Sequence, residues 1–160
     1  MPLDPSIPHS DITYRIIGCA MRVHTRMGPG LIERHYQRAL KSEMQKVGLL
    51  VYEEYPVEIY DGDEYVGWVS LDHFVENTVV VEDKAFPHML TNEEVAQVIT
   101  YLVATKQRVG LLFNFGRPHL EYQRILPPQA VTDWQTHARR YLRRDPPPAD
   151  KNNKKRRDSG

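Results

Sequence analysis

Two runs rich in β-forming residues, Tyr65–Val75 and Val79–Ala85, are joined by Glu76-Asn77-Thr78. A link that short forces them to pair antiparallel, and no other feature of the sequence restricts the fold as tightly. A hairpin centred on Asn77 sets residue 72 opposite residue 82. Asp72 and Glu82 then become cross-strand neighbours, with Cβ atoms about 4.5–5.5 Å apart. The two-residue period of a strand puts Lys84 on the face of Glu82 and Asp83 on the other. Two carboxylates and one ammonium therefore converge on strands that are otherwise apolar.

Adjacent carboxylates in a partly desolvated place repel, and one takes up a proton unless a cation sits between them. A hard divalent ion with oxygen ligands, Mg2+ or Mn2+, resolves the conflict. The alternative is a salt bridge from Lys84 to one carboxylate at a sheet edge, with the other acid in water. Short D…ExK patterns are common by chance, so the motif in isolation leaves both readings open.

The remaining chain supplies flanking elements. Ser10 reads as a helix N-cap, followed by Ile12, Ile16, Ala20, Val23 and Met27 at three- and four-residue steps, up to Gly28-Pro29-Gly30. A second helix is expected from about Leu31 to Val47, stopped by Gly48. Leu49–Tyr60 pairs with Tyr65–Val75 through Asp61-Gly62-Asp63. Thr91 opens a third helix with Glu93 and Glu94 in its first turn, where the macrodipole favours acids. Val109–Phe115 and Leu120–Leu126 read as strands, and Ala130–Arg144 as a last helix. The order makes an α/β fold bordering on α+β, one domain over residues 1–144. Residues 145–160 have the composition of a disordered, Pro-rich, basic tail.

Composition removes several function classes. No run of about 18 apolar residues exists, which excludes a membrane-spanning helix, and the first ten residues lack the features of a secretory signal. The sole cysteine, Cys19, makes no internal disulfide and reads as core, so the expected compartment is cytoplasmic. His24, His35, His73, His88 and His119 share no zinc-ligand spacing. Ser42 and Ser70 show no nucleophile elbow, and no dinucleotide or P-loop fingerprint is present. Trp68 is expected to be more exposed than Trp134. The formal net charge of zero hides nine Lys/Arg against three acids from Arg139 onward. That leaves a body of −6 carrying a tail of +6, consistent with an anionic partner such as nucleic acid or with a merely solvated segment. Lys154, Lys155, Arg156 and Arg157 would bind phosphate, act as a nuclear localisation signal in a eukaryote, or do neither.

Gly30-Leu31-Ile32-Glu33-Arg34-His35-Tyr36 reads G-x-x-E-x-x-Y, and Glu33 and Tyr36 share a helix face. With this stretch the sequence resembles the GxxExxY family, a branch of the PD-(D/E)XK nuclease superfamily. The resemblance runs from about Ile12 to Ile125. It takes in the Gly-Pro-Gly-Leu lead-in, the Asp72 strand, Val-Glu-Asp-Lys-Ala at 81–85, Gln97 with Tyr101-Leu102, and the block Gly110–Gly116. It implies a restriction-endonuclease-like mixed sheet of about four or five strands flanked by helices. It also implies a Mg2+- or Mn2+-dependent nuclease hydrolysing phosphodiester bonds of nucleic acid, DNA foremost.

Carried over by position, Asp72 and Glu82 would ligate the metal and Glu33 would contact the metal or its water. Lys84 would polarise the attacking water or stabilise charge on the phosphate. Gln97 would stand near the active site, with Tyr101 and Tyr36 as accessory residues. Expected partners are nucleic acid and either a second copy of the chain or a partner protein. Two positions depart from the family: Glu94 stands where relatives show a His, and Asp83 replaces an apolar residue in Glu-x-Lys. An Asp on the opposite face of a central strand needs a partner or a shifted pKa. Either that face is less buried than usual, or a nearby base pairs with it. The rival reading keeps the fold without the chemistry, as a nucleic-acid-binding or protein-interaction module.

Overall fold

Val79–Lys84 and Val109–Asn114 are buried along nearly their whole length, as near-continuous apolar runs are when both sheet faces are covered. In the computed structural model, which describes residues 6–127, these strands pair in parallel at the heart of a five-stranded mixed sheet. The elements are α1 (Ser10–Met27), α2 (Glu33–Lys46), β1 (Val51–Asp61), β2 (Glu64–Val75), β3 (Val79–Lys84), α3 (Asn92–Thr105), β4 (Val109–Asn114) and β5 (Glu121–Ile125). The sheet order is β1-β2-β3-β4-β5, antiparallel everywhere except β3–β4. A parallel pair needs a crossover, and α3 provides it.

Two cores follow from the two faces. On one, Ile16, Ala20 and Val23 of α1 and Tyr36, Leu40 and Met44 of α2 meet Val75, Val79, Val81, Leu111 and Phe113. On the other, Val95, Val98, Ile99 and Leu102 of α3 meet Leu71, Phe74, Val80 and Leu112. Cys19 is buried in the first core, and Trp68 is exposed, both as the sequence suggests.

The expected turns form. Gly62 (φ 58°) closes β1–β2, while Glu76 and Asn77 (φ 52° and 53°) reverse the chain into β3. One boundary differs at the start of α1. His9 is the N-cap residue, in left-handed conformation, and Ser10 is already helical, its carbonyl accepting a hydrogen bond from Thr13 Oγ1. Trp134, the expected fourth helix at Ala130–Arg144 and the tail at 145–160, with Lys154, Lys155, Arg156 and Arg157, lie outside the described residues. Among the described residues no helix is long and apolar enough to cross a membrane.

Candidate active site

The β2–β3 ladder runs Val75↔Val79, Phe74↔Val80, His73↔Val81 and there stops, one step short of Asp72 and Glu82. Side chains take over from the main chain. Glu82 Oε1 accepts a hydrogen bond from Asp72 N at 3.1 Å, and Asp72 Oδ2 accepts one from Asp83 N at 2.8 Å. The other neighbour of β2 lapses at the same level. The β1–β2 ladder reaches Glu53↔His73 and resumes at Tyr55↔Leu71, with Glu54 between them at φ 53°. Residues three apart on a regular strand face opposite ways. Yet Tyr52 and Tyr55 are in ring contact at 5.7 Å, and Leu71 and Phe74 share one core. Both strands thus turn over at Glu54 and Asp72, and that irregularity frees the Asp72 carboxylate to meet Glu82.

The electrostatics are those of like charges out of water. Glu82 is 3% exposed, and burial, then the nearby Asp72, push its carboxyl up to about 9. Asp72 is raised by burial and then by Asp83. Glu33, the first residue of α2, is raised by burial and then by Asp72, with Lys84 pulling the other way. Lys84 forms no ion pair within 4 Å among the described residues, so the edge salt bridge is not what the strand holds. The chain leaving Lys84 is pinned instead. Phe115 N donates to Lys84 O, and Asn114 Oδ1 accepts from Phe86 N and Gly116 N. A Cβ on Gly116 would fall 2.4 Å from Phe86 O, which is why the Gly110–Gly116 block ends in glycine.

Helices bring the remaining residues. Gln97 Nε2 donates to the Tyr101 hydroxyl at 2.8 Å. Burial, then the charge of Glu82, push that hydroxyl up to about 12. Tyr36 is fully buried and stacks on Phe115 at 4.9 Å. Its hydroxyl donates to Gly28 O and accepts from Leu31 N, bracing the turn from which Glu33 emerges.

A family model described as the PD-(D/E)XK nuclease superfamily matches residues 10–125. The chain belongs to that superfamily. Among solved structures, SSO0001 matches with a TM-score of 0.52 at 17% identity, over 66% of this chain and 55% of that one. An alkaline exonuclease from Laribacter hongkongensis matches with a TM-score of 0.42 at 15% identity, over 84% and 78%. This chain thus spans about half the length of SSO0001, and that likeness shows a shared fold. No curated protein sequence matches.

Nucleases of the superfamily are in general divalent-metal dependent, and the donors present suit such an ion. Asp72 and Glu82 each have one oxygen fixed by a backbone N–H, and their two carboxyl groups lie within hydrogen-bonding reach of each other. Among those residues no three His, Cys, Asp or Glu side chains are placed to hold an ion together, so Glu33 stands close enough to be felt electrostatically without completing a three-carboxylate set. Magnesium-type ions commonly keep several waters and use one or two carboxylates, which a pair of donors satisfies.

The two departures from the superfamily pattern both have structural explanations. Glu94 is the third residue of α3 and closes a capping box, accepting from Thr91 N while Thr91 Oγ1 accepts from Glu93 N. Burial opposes it, but the hydrogen bonds from Thr91 hold its carboxyl below the ordinary range. Asp83 is fully buried and pairs with His73, a partner the sequence reading did not identify, at 2.5 Å between Nε2 and Oδ2. The signal was present: with 73 opposite 81, Asp83 is the diagonal neighbour of His73.

Proposed function

We propose that the domain is a divalent-metal-dependent nuclease of the GxxExxY branch, hydrolysing phosphodiester bonds of nucleic acid, DNA foremost. The supporting observation is the Asp72–Glu82 pair, each carboxylate anchored by the opposite strand's N–H, with Lys84 on β3 in no ion pair among the described residues. Asp72 and Glu82 would hold a hard divalent ion, which would supply an acidified water and a Lewis acid for the phosphoryl oxygens. Lys84 directs an ammonium at the negative charge that develops on the phosphate. Glu33, whose proton affinity burial raises, is the carboxylate suited to take a proton from the attacking water. Gln97 and Tyr101, hydrogen-bonded to each other, are the accessory pair contributed by α3. Substrate is drawn in through its phosphates, so binding weakens with salt. Lys154, Lys155, Arg156 and Arg157 offset the repulsion of the acidic body.

The test is cleavage of labelled single- and double-stranded DNA and RNA with Mg2+, Mn2+ or EDTA, alongside Lys84→Ala. Metal-dependent cleavage lost in the variant is expected. Cleavage that persists in EDTA, or in Lys84→Ala at wild-type rate, overturns the assignment. The rival is a non-catalytic module that keeps the fold. A folded protein that cleaves nothing and takes up no Mn2+ would establish it.

A further inference from the structure

Beside the two carboxylates, on the same strands, lies a pair that the proposed chemistry does not use. His73 and Asp83 are both fully buried. By the alternation of β2 and β3 they continue the face of Val75, Val79 and Val81, which packs on α1 and α2. His73 Nδ1 and Asp83 Oδ1 find no hydrogen-bond partner among the described residues. As a device for stabilising a core this is poor. Buried polar atoms are nearly always satisfied, and apolar side chains of similar volume usually do as well as a buried ion pair, or better. The fold alone does not account for it.

The hydrogen bonds show what the pair can do. Past His73↔Val81 the β2–β3 ladder has ended, and at the level of Asp72 the pairing with β1 lapses as well. There the strands are held by Asp72 N to Glu82 Oε1, by Asp83 N to Asp72 Oδ2, and by His73 to Asp83. The N–H that aims the Asp72 carboxylate belongs to the residue whose side chain His73 grips. We infer that His73 and Asp83 are positioning residues for the carboxylate pair: the imidazole clamps Asp83, and Asp83 in turn fixes the peptide that turns Asp72 toward Glu82. The inference rests on the nuclease reading insofar as the pair holds a divalent ion.

Mn2+ titration of the full chain, followed by electron paramagnetic resonance, tests it without reference to activity. His73→Gln keeps an amide close to the Nε2 position, and His73→Asn withdraws it. The glutamine variant is expected within about twofold of wild-type affinity, and the asparagine variant about tenfold weaker, the loss usual when a group orienting a ligand is removed. The double variant His73→Leu/Asp83→Val is expected to weaken Mn2+ binding by at least about tenfold while keeping or raising Tm. Equal affinities for the asparagine and glutamine variants, or wild-type affinity in the double variant, overturn the inference. Should the double variant not fold, the matched single variants decide. Wild-type protein that binds no Mn2+ removes the cation site itself, and with it this role, an outcome separate from unchanged binding in the variants.

Discussion

Glu43 and Glu82 are the same side chain in comparable burial, 8% and 3% exposed, and the protein treats them oppositely. Glu43 lies between α1 and α2, where Arg22 Nε meets one carboxylate oxygen at 2.9 Å and Arg26 meets the other at 2.7 Å. Those hydrogen bonds bring its carboxyl down to about 2. Glu82, at the end of β3, has a second carboxylate and no guanidinium, and is pushed up to about 9. Burial opposes ionisation at both; at Glu43 the two arginines outweigh it, whereas at Glu82 burial dominates and Asp72 adds to it. The helix pair is complete as it stands, whereas the strand pair carries a charge conflict that a cation would relieve.

The largest effect expected from this contrast is catalytic. Asp72→Ala removes half of the carboxylate pair and should lower metal-dependent cleavage by about 10²–10³-fold, with near-UV circular dichroism unchanged. Wild-type-like cleavage by this variant would erase the distinction between the regions. Glu82→Gln should abolish Mn2+ uptake yet stabilise the protein in EDTA at pH 7 by about 2–3 kcal/mol, because the isostere avoids the raised proton affinity. The sign follows from a folded value above the ordinary 4.5. The native group holds a proton that the unfolded chain releases, so stability in EDTA falls as pH rises from about 4.5 to about 9. Denaturant midpoints across that range should show the slope in wild type and lose most of it in the variant.

Glu43→Gln should instead cost about 1–2 kcal/mol, discounted because both arginines are half-exposed. Its pH dependence runs the other way. A value lowered to about 2 gives stability that is fully present above 4.5 and lost as pH falls through 2, so the variant should have a flatter acid limb. Smallest of all, Arg26→Gln leaves the Arg22 bond in place and should cost about 0.5–1 kcal/mol. A larger loss in equilibrium denaturation would mean that the two arginines act as a unit.

The strand pair was legible in the sequence and the helix pair was not. Turn chemistry at Glu76-Asn77-Thr78 determines which residues face each other, and the Asp72/Glu82 level is then found by counting. Arg22 and Arg26 reach Glu43 from another helix, and no local pattern sets the packing of α1 on α2. Glu94 shows a signal read too narrowly. Thr91 and Glu94 have capping-box spacing, a second signal beside the acid's place in the first turn. The left-handed Glu54 had no signal, since nothing in its residue type asks for φ 53°. Nothing local announces the ring that Tyr36 stacks on, because Phe115 sits just past the end of β4, far along the chain.

The three-residue link between β2 and β3 also bears on when the carboxylate conflict is felt. Asp72 and Glu82 are ten positions apart, whereas β4 reaches β3 only after the whole of α3. Short loops close with less loss of chain entropy, so local pairs form ahead of distant ones. The two acids therefore meet while still hydrated, and their repulsion grows only as α3 docks over them. A change that relieves it acts late on the folding route: Glu82→Gln in EDTA should slow unfolding while leaving the refolding rate nearly as it was.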